Sequence, residues 1–467
     1  MDSEMLLTYY GDDFTGSADV LEALALNGVP AALFLKVPTA QELSAFRLKN
    51  EVFDGDRTLA AFGVAGVSRT MNPVQMRKKL PDIFARISRI PTRFFHYKIC
   101  STFDSSPGIG SIGYATEIAL QAFPASWVPL LVGAPDLNRF CLFGNLFARA
   151  DGVTYRLDRH PTMSKHPVTP MNESDLRLHL GQQTDREVKL VDVFALEAPV
   201  DEREKLVAKT SNQGDPPIVL FDVLHEKHLH EIGGLIERFS KPQQQLIVGS
   251  SGVEHALSAF FERAGKKKLQ ANNLSAGKAN RIIVVTGSCS PMTKKQIEWS
   301  VANGFSSLRM DAKRLMNPQT RDEEYVVIIS KAMKLLQKSR KLILFSALGP
   351  DDPSITETKA VLAQLNGTEP VTLGVLQGRI LKSLLKKYSK SRVVISGGDT
   401  AGQVASELDI YALEFLVPIA PGSPLCLAHS KNPVYDGIEI AFKGGQNGNE
   451  RYFDYVYKGG IDDSQGK

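Results

Sequence analysis

Apolar residues come in short blocks along this chain, at 6–10, 31–35, 60–65, 94–97, 128–132, 218–221, 246–248, 282–285, 342–345 and 393–395. Blocks of this length, bounded by glycine or polar turns, fit strands buried on both faces. The stretches between most of them carry helix-like spacing. Strand and helix therefore alternate, which predicts an α/β fold with mostly parallel sheets flanked by helices. The first helix illustrates the reading. Residues 18–26 are rich in helix formers, and Val20, Leu21 and Leu24 fall on one face. Thr15, Gly16 and Ser17 offer capping groups before it; Asn27, Gly28 and Pro30 stop it.

The pattern lapses at 264–280, a polar, basic, glycine-containing stretch with little periodicity. Domain boundaries have this character. It predicts two domains, 1–265 and 281–467, joined by a linker at 266–280, each with its own sheet. The tail from about Gly459 is expected to fray.

Composition narrows the function. The chain has 467 residues, 43% of them hydrophobic, enough for ordinary cores. Its formal charge of +4 (55 − 51) is mild, and the densest basic run, Lys266-Lys267-Lys268, reads as a solvated loop. A nucleic-acid partner is not expected; a small anion is. The four cysteines, Cys100, Cys141, Cys289 and Cys426, are too scattered for structural zinc or a disulfide scaffold. The start carries Asp2 and Glu4 rather than a basic region, and no apolar run reaches about 18 residues. A soluble cytoplasmic protein with no membrane contact is the expectation, with a homodimer as a candidate assembly.

Chemistry-bearing residues follow the apolar blocks at four places. Gly11, Asp12, Asp13, Phe14, Thr15 and Gly16 follow the first, and Ser68 and Arg69 the third. Thr286 to Ser290 follow the block at 282–285, and Ser396 to Thr400 the block at 393–395. Ligands of open α/β sheets bind outside the carboxyl ends of strands, so four such loops predict a binding surface. Asp12 and Asp13 are the catalytic candidates: one orients or deprotonates a hydroxyl, as a kinase base does, while the other caps the next helix. Arg69 fits a bidentate carboxylate contact or a surface ion pair. Lys98, Ser101, Thr102, Asp104 and Ser105 crowd cation and hydroxyls into one loop, which suits a polyhydroxylated acid or a loop making its own turns. Arg139 faces the ligand or a domain edge. Cys100 reads as packing. His160 and His166 match no standard zinc spacing, and no metal held by protein alone is expected.

In the second half, Gly397, Gly398, Asp399 and Thr400 let a backbone approach a phosphate at a helix start, or simply make a tight turn. No G-x-x-x-x-G-K-[ST] is present. Ser288 is the better nucleotide contact of its loop. Ser290 also fits an N-cap before Pro291. Gly445, in the run 443–448, belongs to a loop over the nucleotide or to a hairpin turn.

Taken together and in order, these motifs resemble the four-carbon acid sugar kinase family. The resemblance rests on Gly11-Asp12-Asp13-Phe14-Thr15-Gly16-Ser17, similar to the family's opening with alanine first, and on Ser68-Arg69 and Tyr97-Lys98. It continues through Ala134-Pro135 with Arg139, His166-Pro167, Gly287-Ser288, Gly397-Gly398-Asp399-Thr400 and Pro421-Gly422-Ser423-Pro424. It implies an N-terminal sugar-acid domain and a C-terminal ATP domain. The implied reaction is phosphorylation, by ATP with Mg²⁺, of the terminal hydroxyl of threonate, erythronate or 3-oxo-tetronate. Motif matching puts Asp12, Arg69 and the 98–105 loop on the substrate, and Ser288, the 397–400 loop and Gly445 on ATP. The chain departs from the family where Cys100 replaces an aspartate, where the arginine ending that loop motif is absent, and at Gly11. These departures leave branched acids such as 3-oxo-isoapionate among the substrates to consider. The rival readings are a non-catalytic sugar-acid sensor and a dinucleotide-dependent oxidoreductase, the latter lacking a G-x-G-x-x-G after any of these strands.

Overall fold

The computed structural model describes residues 5–53, 57–150, 152–166, 168–210, 215–240, 244–365 and 371–460, without the side chain of Asp399. Pro167 and the end of the tail lie outside the described residues. The chain forms two compact units, Met1–Leu48 with Gly55–Leu269, and Lys49–Asp54 with Gln270–Lys467. Among the described residues, no helix is long and apolar enough to cross a membrane.

The first unit contains β1 (Leu7–Gly11), β2 (Ala31–Phe34), β3 (Ala61–Ala65), β4 (Phe94–Lys98) and β5 (Val128–Leu131). Then come β6 (Arg139–Leu142), β7 (Asn145–Ala150), β8 (Val153–Arg156), β9 (Val188–Val191), β10 (Ile218–Phe221) and β11 (Gln245–Gly249). Its main sheet runs β2-β3-β1-β4-β11-β5-β10-β9, and every pairing is parallel. β6, β7 and β8 form a separate antiparallel ribbon. The strand order reverses at β1, with β3 on one side and β4 on the other. Gly11 pairs with both Ala65 and Lys98, so three carboxyl ends lie level at the switch point. A crevice opens at such a point because the connections diverge to opposite sides.

The core fixes these ends. Phe84 is fully buried and sets ring edges against Tyr10, Tyr97, Phe95 and Phe123. Burying one such side chain contributes about 1.5–3 kcal/mol. Tyr10 and Tyr97 precede Gly11 and Lys98, so this packing holds the strand ends that carry the polar loops. The first helix spans Phe14–Leu26 and stops at Asn27 and Gly28, as the sequence indicates. Its cap is a correction: Asp13, not the 15–17 stretch, accepts the Gly16 N–H, and Thr15 donates its hydroxyl to Asp13 instead.

The second unit contains β12 (Ile282–Thr286), β13 (Ser306–Arg309), β14 (Lys341–Phe345), β15 (Arg392–Ser396), β16 (Ile410–Val417), β17 (Leu425–Ser430) and β18 (Glu439–Lys443). The order is β13-β14-β12-β15-β18-β17-β16. Pairings are parallel through β18 and antiparallel beyond it. Here the order reverses at β12, between β14 and β15. Thr286, Ser396 and Lys443 close three neighbouring parallel strands in register. The run 443–448 is therefore not a hairpin turn: it leaves β18 and leads to the helix Tyr452–Lys458.

Candidate functional site

In the first unit, the β1, β3 and β4 ends bring Asp12, Asp13, Arg69 and Lys98 together. Arg69 donates from Nε and Nη2 to both oxygens of Asp12 (3.1 and 2.8 Å), and from Nη2 to Asp13 Oδ1 (2.8 Å). The guanidinium fork expected to hold a ligand carboxylate is thus filled by the protein's own. A second carboxylate would have to displace Asp12 from a bidentate, charge-assisted contact. Lys98 is buried, its ammonium 3.0 Å from the Ile99 carbonyl and 3.7 Å from Asp19 Oδ2. Both cations therefore serve an internal cluster of three aspartates.

The two catalytic candidates differ in environment. Asp13 is the helix cap. Burial pushes its carboxyl up, but Arg69, the Thr15 hydroxyl, Lys98 and the Gly16 N–H together hold it below the usual carboxylate range. Asp12 is only 2% exposed, and its carboxylate takes no backbone N–H among the described residues. Burial outweighs Arg69 there and raises its proton affinity, with the Asp13 charge adding to the effect. The two acids are pushed apart, Asp12 towards proton acceptance and Asp13 away from it.

The 98–105 loop divides in the same way. Thr102 donates to Asp104 (2.8 Å) and contacts the Cys100 thiol (3.0 Å). Burial pushes that thiol up to about 11, so it is no nucleophile at neutral pH. Ser101 and Asp104 are half-buried. Ser105 is a correction to the expected hydroxyl contact. It is buried, donates to the Phe103 carbonyl (2.9 Å), meets His179 Nε2 (3.1 Å) and receives the Gln183 amide (3.0 Å). It braces the loop, whose residue Phe103 sits in the left-handed region at φ 57°. His179 and Gln183 lie more than 70 residues away in sequence, and no local signal marks them.

Arg139 stands apart. Its Nη1 bonds only the carbonyls of Leu137 (2.8 Å) and Asn138 (3.2 Å), and its buried Nε has no partner. Among the described residues no carboxylate pairs with it. Burial lowers its proton affinity, and the nearby Cys100 and Asp104 offset this only in part. This is a cation near Asp104 of the 100–104 loop but in contact with no carboxylate among the described residues. His160 and His166 use their Nδ1 atoms to accept backbone N–H groups of their own loop.

The second unit gathers the other candidates. A Cβ on Gly287 would lie 2.6 Å from the Thr400 hydroxyl, and one on Gly445 would lie 2.8 Å from Ser288 Oγ. Gly397 has φ +128°, which disfavours any side chain, and a Cβ there would meet both Thr400 Oγ1 and the Ser288 N–H. It begins the helix Gly398–Glu407 with no side-chain cap. Helix starts of this kind suit an anion. Ser290 caps the helix Pro291–Ala302 by accepting the Thr293 N–H (3.1 Å), and also donates to the Gly445 carbonyl. Asp399, named with this loop, has its side chain outside the described residues.

Sequence reasoning did not single out Lys443. It is fully buried, yet among the described residues its Nζ has hydrogen-bond partners only in Thr293 Oγ1, Ser396 Oγ and the Gly445 carbonyl, each at 3.3 Å. These hydroxyl, amide and ammonium donors suit phosphate oxygens.

The chain matches the family described as sugar-binding N-terminal domain over residues 7–257 and the family described as nucleotide-binding C-terminal domain over 283–453. A Paraburkholderia graminis protein named 3-oxo-isoapionate kinase is 41% identical over 461 residues, covering 97% of this chain and 94% of that one. A Pectobacterium atrosepticum protein named 3-oxo-tetronate kinase is 25% identical, covering 95% of this chain and 96% of its own. A Brucella melitensis protein of that name is 26% identical over 96% of this chain and 94% of its own. Among solved structures, a Salmonella typhimurium LT2 protein with a provisional tRNA synthase label aligns with TM-score 0.71 at 21% identity, over 97% of this chain and 98% of its own. Haemophilus influenzae protein HI1011 aligns with TM-score 0.67 at 22% identity, over 96% and 98%. At these identities the two structures speak to the fold alone.

Proposed function

The chain belongs to the four-carbon acid sugar kinase family, and we propose that it transfers the terminal phosphoryl group of ATP to a hydroxyl of a small acid sugar, with 3-oxo-isoapionate the preferred acceptor. The observation that carries the substrate reading is the 41% identity, across 97% of the chain, to a protein named 3-oxo-isoapionate kinase. Relatives named for 3-oxo-tetronate stand at only 25–26%.

The residues support a division of labour. Asp12 is the proton acceptor for the attacking hydroxyl, and Arg69 fixes its orientation. Arg139 takes the acceptor's carboxylate, since its internal partners are carbonyls and not a carboxylate, while Arg69 is engaged by Asp12 and Asp13. Lys98 balances the aspartates. Ser101, Thr102 and Asp104 meet acceptor hydroxyls. Ser288, Thr400 and the Gly397–Gly398 backbone hold phosphate oxygens, and Ser290 and Gly445 shape that loop. Such donors fit a nucleotide arriving with Mg²⁺, which supplies charge neutralisation between its phosphates. Catalysis is then positioning and electrostatics rather than covalent chemistry.

A coupled ADP-release screen tests the reading with 3-oxo-isoapionate, 3-oxo-tetronate, threonate and erythronate. The expected result is ATP-dependent turnover with the highest kcat/KM for 3-oxo-isoapionate. Absence of ADP formation with every acid rejects the kinase reading. A preference for a tetronate rejects only the substrate assignment.

A further inference from the structure

Lys443 is an interior cation of unusual company. It closes β18 in register with Ser396 of β15, which is in register with Thr286 of β12. From the helix Pro291–Ala302 it faces the Thr293 hydroxyl, from β15 the Ser396 hydroxyl, and from its own loop the Gly445 carbonyl. The helix Tyr452–Lys458 presents the Tyr452 ring, 5.9 Å away. Asp454 on that helix is engaged by Lys341 (3.9 Å) and Lys458 (3.1 Å). Among the described side chains no carboxylate pairs with Lys443. A buried ammonium without a counter-charge is costly and persists where something else requires it.

The hydrogen-bond directions say what it does. An ammonium donates and never accepts. Bonded to Lys443, Thr293 Oγ1 turns its own hydrogen elsewhere; the Gly445 carbonyl, 3.0 Å away, has two lone pairs that Lys443 and Ser290 fill, and Ser288 Oγ at 3.1 Å is the acceptor left. Ser288 Oγ, receiving that hydrogen, is left to donate onward. The Gly445 carbonyl collects donors from Lys443 and Ser290 on one side. In a trans peptide the following N–H, that of Gln446, points the opposite way.

We propose that Lys443 is a positioning residue of the nucleotide site, an interior cation that orders the Thr293–Ser288 hydroxyl chain and the Gly445–Gln446 peptide so that both present donors to phosphate oxygens. The proposal rests on the nucleotide reading of the second unit. Burial alone lowers the Lys443 ammonium to about 7. In the free protein at mildly alkaline pH the amine is therefore largely neutral, and the donor pattern described above belongs to the protonated form. Arriving phosphates favour the ammonium, and ADP binding takes up a proton.

The test is titration calorimetry of ADP with Mg²⁺ at pH 8, in two buffers of different ionisation enthalpy. Wild type is expected to take up about one proton per ADP. Lys443→Met is expected to lose that uptake and to weaken ADP binding roughly tenfold or more, with no fall in Tm of the free protein. ADP binding by wild type without proton uptake overturns the proposal, and this result needs no variant. Unchanged affinity in Lys443→Met, or a lowered Tm with uptake retained, also overturns it. Failure of wild type to bind ADP at all would instead reject the nucleotide reading.

Discussion

At the scale of single residues, the account turns on two adjacent aspartates that differ in their surroundings. Asp12→Asn is expected to lower kcat on the order of 10²–10⁴-fold, as loss of a general base does, with Asp13→Asn much milder because asparagine still caps. Asp13→Ala is expected to cost about 1 kcal/mol of stability, read by denaturant unfolding. The pH dependence has a definite sign. The folded protein holds Asp13 below the usual carboxylate range, so the unfolded chain takes the proton first as pH falls. The stability Asp13 contributes is present above the usual range and is lost as pH drops through its folded value. Asp12 acts oppositely on stability, since its folded proton affinity is raised. For turnover Asp12 must be ionised, so the acid limb of the kcat profile is expected above the usual carboxylate range and to vanish from the residual rate of Asp12→Asn. The sequence shows two adjacent acids but not which one caps. Arg69 lies 57 positions from Asp12, and only the parallel pairing of β1 and β3 brings them together.

At the scale of elements, the opening glycine that departs from the family's alanine has a local cause. A Cβ on Gly11 would stand 1.9 Å from Ser17 Oγ, which is bonded to the Asp13 carbonyl at 2.6 Å. Gly11→Ala is expected to cost about 1–3 kcal/mol through overpacking, and Ser17→Ala added to it is expected to restore part of that in thermal unfolding. A second device is the short segment at 49–54, which belongs to the second unit. Glu414, wholly buried in β16, accepts the N–H groups of Lys49 (3.0 and 2.9 Å) and Asn50 (3.1 Å). Glu414→Ala orphans a buried N–H, at about 1–3 kcal/mol, and hydrogen exchange at the Lys49 and Asn50 amides is expected to quicken. Elements buried on both faces were legible: the blocks at 218–221 and 282–285 are β10 and β12 to within a residue. β13, Ser306–Arg309, alternates half-buried with exposed residues and gives no apolar block. β16 is interrupted by Glu414, and Lys443 closes β18; a single charge within a strand carries no local mark of its burial.

At the scale of the whole molecule, each unit repeats one arrangement, a sheet whose order reverses beside its polar loops. That much follows from the alternation of strands and helices and from the placement of Gly, Ser, Thr and Asp after them. What the pattern could not convey is which polar groups answer one another. Arg69 is spoken for by Asp12 and Arg139 is not, and a lysine is buried among hydroxyls 47 and 150 positions distant. These pairings decide which cations a carboxylate of the protein already balances. Phosphoryl transfer from ATP to an acid sugar is followed by ³¹P NMR of the protein with ATP, Mg²⁺ and 3-oxo-isoapionate. The account predicts a new phosphomonoester signal growing in step with ADP. Release of inorganic phosphate alone, or an unchanged ATP spectrum at high enzyme concentration, would contradict it.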